Sequence, residues 1–153
     1  MRTSTFLITA ALVATLALPA AAKERKLSRA QVPSPVLTAF EKAYPKAKAL
    51  SFAEEDKDGK ACYEIESHDG PTRRDLLYAA DGTILEIEET VPPAELPAAV
   101  RDAVAKQAPK ATIKRAEKVT RGDTVRFEIE LGTKATTKTK ELVFDVNGTP
   151  VEK

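Results

Sequence analysis

Apolar residues follow two successive rhythms along this chain. Val36, Leu37, Phe40, Ala43 and Tyr44 keep the three-and-four spacing of one helix face. Ser34 is placed to cap that helix and Pro35 to open it, while Pro45 ends it, because proline lacks the amide donor and drives the residue before it out of the α region. A helix this short is marginal alone, since isolated helices below about 12 residues rarely hold in water, so it must lie on something. From residue 47 the period falls to two. Ala47–Glu54 reads as a strand with Leu50 and Phe52 on one face, and Asp56-Lys57-Asp58-Gly59 as a turn. Tyr63 and Ile65 then alternate with Cys62, Glu64 and Glu66 in a second strand, and His68-Asp69-Gly70-Pro71 turns the chain. Leu76 and Tyr78 begin a third strand, Asp81-Gly82 signals a hairpin, and Ile84–Glu88 makes a fourth.

The same order then returns. Pro33, Val36, Ala39, Pro45, Lys46 and Ala47 recur 64 positions later as Pro97, Val100, Ala103, Pro109, Lys110 and Ala111, and Tyr63-Glu64-Ile65-Glu66 as Phe127-Glu128-Ile129-Glu130. After a two-residue insertion, Leu76, Tyr78, Asp81, Gly82 and Thr83 reappear as Leu142, Phe144, Asn147, Gly148 and Thr149. A unit of this length holds a whole supersecondary motif. The second copy is expected to run from a helix through Leu96, Val100, Ala103 and Val104 into strands at Ile113–Val119, Val125–Leu131 and Glu141–Val146, with a short fourth at Pro150-Val151. The fold class is α+β, a tandem repeat of a short helix followed by a four-stranded antiparallel meander. The units are 33–91 and 92–153, joined by an extended, stiff Val91-Pro92-Pro93. Side by side, their sheets form one platform with an open face. Tyr63, Ile65, Val125, Phe127, Ile129 and Leu131 point toward the helices, and Glu64, Glu66, Arg126, Glu128 and Glu130 point away.

The first 22 residues carry a different signal. Arg2, an apolar run from Phe6 to Leu18 and Ala20-Ala21-Ala22 before Lys23 form a cleavable secretory leader, shorter than the roughly 20 apolar residues of a membrane span. No cysteine stands near residue 22 to take a lipid, so the mature chain is expected to be periplasmic or secreted, with no stable membrane insertion after cleavage. Residues 23–32 read as a flexible polar lead-in. Lys plus Arg number 24 and Asp plus Glu 23, and Arg2 goes with the leader, so the mature chain is formally neutral. That balance argues against a nucleic-acid partner. Cys62 is the only cysteine, which forbids an intramolecular disulfide, and His68 is the only histidine. Neither has a recognisable orienting group or oxyanion element nearby in sequence, and no phosphate loop, nucleophile elbow or zinc cluster is present; the chain is read as a non-enzyme. Glu64, Glu66, Glu86 and Glu88 could gather on adjacent strands as ligands for a hard cation. Asp56, Asp58 and Gly59, however, make only a fragment of a calcium loop, better explained as a turn.

Ala43-Tyr44-Pro45-Lys46-Ala47, Tyr63-Glu64-Ile65-Glu66 and Leu77-Tyr78-Ala79-Ala80-Asp81-Gly82-Thr83-Ile84-Leu85 resemble the PepSY-like fold, and the tandem arrangement is similar to the β-lactamase-inhibitor-like PepSY-like proteins of bacterial envelopes. The resemblance spans about residues 33–152. It implies a binding module working through its sheet face and through loops such as Asp56–Lys60 and Lys118–Asp123. The partner expected is an envelope protein or peptide, and inhibition of an envelope enzyme is one form such binding takes. The face residues Glu64, Glu66, Arg126, Glu128 and Glu130 are the candidate binding set, with no catalytic residue, metal ligand or cofactor assigned. The alternative is a periplasmic protein binding a small ligand or divalent cation. The oligomeric state is left open.

Overall fold

A computed structural model describes residues 24–57, 59–133 and 136–152. The leader, and Asp58 of the first turn, lie outside the described residues. Eight strands form one antiparallel sheet in sequence order: β1 (Arg25–Leu27), β2 (Lys48–Lys57), β3 (Lys60–Asp69), β4 (Thr72–Ala79), β5 (Ile84–Thr90), β6 (Thr112–Arg121), β7 (Thr124–Thr133) and β8 (Thr136–Asp145). Helix α1 (Ser34–Ala43) enters between β1 and β2, and α2 (Ala98–Gln107) between β5 and β6.

The helices end where proline requires it. Tyr44, before Pro45, has φ −129°, and Ala108, before Pro109, has φ −141°; both have left the α region. At the start of α1 the cap position falls on Pro33 and not on Ser34, which is already helical. Val36 and Phe40 of α1 bury against Ile65, Leu76 and Tyr78, while Val100 and Val104 of α2 bury against Phe127, Ile129 and Phe144. Both helices therefore cover the same sheet face, each over its own core. Two hairpins come up beneath the helix starts in the same way. A side chain on Gly82 would meet the Pro35 carbonyl oxygen at 2.6 Å, and one on Gly148 the Ala99 carbonyl oxygen at 2.4 Å; their φ values of +86° and +76° suit only glycine.

Several expectations change. The lead-in is not free: Arg25–Leu27 pair with Phe52–Glu54, and Leu27 and Val32 are buried in the first core, so two apolar residues in a polar stretch suffice to dock it. Leu50 does not share a face with Phe52. A bulge between Ala49 and Ser51 breaks the alternation and leaves Leu50 47% exposed. A matching bulge falls between Ile113 and Arg115. Strand β3 runs on through His68 and Asp69, so the turn is confined to Gly70-Pro71 and His68 is a half-buried strand residue. After Pro92, Pro93–Glu95 forms a 3-10 turn where an extended linker was expected, its Glu95 amide donating to the Pro92 carbonyl. The second half carries three strands, and its expected fourth, Pro150-Val151, is a single bridge from Pro150 to Phe144 supported by the Val151 amide on the Val143 carbonyl.

Candidate functional site: the open sheet face

The two halves of the sheet meet at β5 and β6, where Ile87–Thr90 pair with Glu117–Thr120. The face away from the helices is thereby continuous across the seam. One cross-strand row reads Ser51, Glu66, Asp75, Glu88, Val119, Arg126 and Asp145; the next on one side reads Thr90, Glu117, Glu128 and Val143, and on the other Ala53, Glu64, Leu77 and Glu86. Glu66 thus stands opposite Asp75, Asp75 opposite Glu88, and Glu117 opposite Glu128. Directly opposed like charges oppose sheet formation, so this face carries electrostatic frustration at its centre.

Cations relieve only part of it. Glu86, nearly buried, is held by Arg121 and by Lys57 at 3.7 Å. Arg115 spans Glu117 at 3.2 Å and Glu130 at 3.4 Å, while the Ser51 hydroxyl donates to Glu66 at 2.6 Å. Burial, reinforced by a hydrogen bond with Glu55 and by the charges of Glu55, Asp75 and Glu24, pushes the Glu64 carboxyl up to about 8. Burial, then the charges of Glu128, Glu86, Glu117 and Asp75, pushes Glu88 up to about 7. Asp75 is raised by burial and by Glu66, against Arg73 and Arg115; Glu117 is raised by burial against the pull of Arg115. These are groups that release their protons reluctantly and would do so more readily beside an added positive charge.

All five sequence-predicted face residues lie on this surface, yet they do not form one cluster. Glu64 lines a cavity of about 190 Å³ with Glu55, Lys57, Asp75, Glu86 and Glu88. Arg126 and Glu128 line a second, of about 280 Å³, on the far side of Glu88. Glu66 sits with Glu64 and Asp75, one carboxylate oxygen from each lying within 4.8 Å of the others, and Glu130 is drawn toward Arg115 at the margin. Sequence reasoning missed Glu55, Asp75 and Glu117. The signal for Asp75 was available, since residues alternating with Leu76 and Tyr78 must point outward. The hairpin tips expected as binding loops are short because strand continues through Lys57 and Arg121. Cys62 is buried on this face, its Sγ 3.8 Å from the Lys60 carbonyl oxygen. It stands six residues from His68 along one strand, about 20 Å at 3.3 to 3.4 Å per residue, so the two make no dyad.

Fold and face together define a class: a two-helix α+β module whose polar chemistry is spread over an open antiparallel sheet. The chain belongs to the family described as beta-lactamase-inhibitor-like, PepSY-like, whose model matches residues 20–86 and 61–150. Similar solved structures include a Bacteroides eggerthii protein described as periplasmic (18% identity, 79% of this chain and 86% of that one, TM-score 0.65). A DUF2874 family protein of Bacteroides ovatus is similar over 78% of this chain and 84% of its own, at 18% identity and TM-score 0.61. A BLIP-like protein of Bacteroides fragilis matches at 18% identity and TM-score 0.59 over 78% of this chain and 84% of that one. At such identity these likenesses establish the fold. No curated protein matches the chain significantly. Among the described residues no helix is long and apolar enough to cross a membrane.

Proposed function

We propose that this protein is a periplasmic, non-enzymatic binding module that takes a protein or peptide on its open sheet face, with inhibition of an envelope enzyme as one mode of action. The observation that carries the reading is the row Glu66, Asp75 and Glu88 at the centre of the face that α1 and α2 leave open. A partner bringing positive charge there relieves repulsion that the fold alone leaves standing, and complementary charge favours selectivity and encounter rate. Family membership and the leader-like first 22 residues support an envelope setting.

The test is capture from an envelope extract on the immobilised protein, beside a Glu128→Lys/Glu130→Lys variant and a Glu41→Lys control on the helix side. A protein retained by the wild type and the control but lost by the double variant supports the reading. Retention by all three, or by none, overturns it. A second reading has one observation in its favour: the close approach of the Glu64, Glu66 and Asp75 oxygens suits a hard divalent cation. A rise in melting temperature with calcium, reversed by chelator and absent in Glu66→Gln, would move the function to ions.

A further inference from the structure

At the seam of the sheet, β5, β6 and β7 enclose the groove of about 280 Å³ bounded by Glu86, Glu88, Val119, Arg121, Arg126 and Glu128. Its groups are unequally satisfied. Arg121 is bonded to Glu86, and Arg126 donates to the Glu152 carbonyl oxygen at 3.4 Å. Glu88 is half-buried, faces Asp75 on one side and Val119 on the other, and has no cation paired with it among the described residues. The groove therefore offers an apolar wall, a carboxylate without a counter-charge at its β5 edge, and a second carboxylate, Glu128, on β7. We propose that this groove seats one lysine or arginine side chain of the protein or peptide partner, its aliphatic stem along Val119 and its charged head on Glu88. A long basic side chain matches both features, because its methylenes pack on apolar surface while its head stays with charge. This rests on the open-face reading and narrows it to one subsite, at the seam where β5 meets β6.

The groups facing Glu88 are Glu55 and Lys57 of β2, Glu64 of β3, Asp75 of β4, Glu86 of β5, Glu117 and Arg121 of β6, and Arg126 and Glu128 of β7. Burial first, and then the surrounding acids, which outnumber the bases, push the Glu88 carboxyl up to about 7 in the free protein. Seating a cation draws that proton off, so binding strengthens from pH 6 to pH 8.5.

The experiment is amide-shift mapping by NMR with N-acetyl-arginine methylamide, N-acetyl-norleucine methylamide as the uncharged control, and a hexa-arginine peptide. Expected are shifts at Glu86–Glu88, Val119–Arg121 and Arg126–Glu128 with the capped arginine alone among the monomers, stronger at pH 8.5 than at pH 6. Glu88→Gln should weaken that affinity about tenfold, as loss of a charge-assisted bond does, and Glu41→Gln, exposed on the helix side, should leave it unchanged. If hexa-arginine binds the face while the capped arginine leaves the groove amides unmoved, or binds Glu88→Gln equally well, the groove proposal falls and the open-face reading stands. If neither ligand binds, both fall.

Discussion

Glu88 shows how a single residue on this chain can be read correctly for direction and wrongly for environment. Its place in an alternating strand predicts that it points away from the helices, and it does; period alone says nothing of the carboxyl groups of Glu55, Glu64, Asp75, Glu117 and Glu128 that other strands bring around it. The consequence is a pH dependence with a definite sign. A carboxyl near 4.5 in the unfolded chain and at about 7 for Glu88, or about 8 for Glu64, leaves the folded state holding more protons between those limits. The contribution of these two groups to stability is therefore fully present below about pH 4.5 and is lost as pH rises toward 8. Urea unfolding at half-unit steps should show that slope in the wild type and a shallower one in Glu88→Gln and Glu64→Gln. Asp75→Asn should stabilise by about 0.2–1 kcal/mol at pH 8, since it stands between two like charges. Gly82→Ala and Gly148→Ala should each lose about 1–3 kcal/mol in the same assay, from left-handed backbone and a carbonyl oxygen in the way.

At the scale of elements, what the sequence conveys is kind and order. The two short helices and their proline stops are legible because Val36 with Phe40, and Val100 with Val104, keep helical spacing and Pro45 and Pro109 permit one outcome. Strands β3 and β7 are legible because Tyr63-Glu64-Ile65-Glu66 and Phe127-Glu128-Ile129-Glu130 alternate without interruption. The bulges after Ala49 and Ile113 are not, since an extra residue in a strand reads as ordinary alternation until its partner is known. Strand β1 was missed for a related reason: three residues carry no period, and Arg25–Leu27 owe their conformation to the β2 edge and to the pocket that buries Leu27. Leu27→Ala should accordingly cost about 2–5 kcal/mol by urea unfolding, as a core leucine does, whereas a frayed lead-in would lose almost nothing.

Among the described residues the molecule is one sheet with its helices on one side, and the proposed binding role rests on that asymmetry. Helix packing uses up one face in two separate cores, and the second face is left with more acid than its own bases neutralise at the seam between the halves. Neither the near-neutral overall charge nor the composition hints at this, because the sheet sorts charges by face and the chain total averages over both. The resemblance in the Tyr63–Glu66 and Ala43–Ala47 segments carries the family, while the site emerges only once register is known. The most direct test of the account is a calorimetric titration with hexa-arginine peptide at low and high salt, comparing the wild type with Glu128→Lys/Glu130→Lys and Glu41→Lys. The account predicts binding by the wild type and by Glu41→Lys that weakens as salt rises, and none by the double variant. Equal binding by all three proteins, or affinity indifferent to salt, would contradict it.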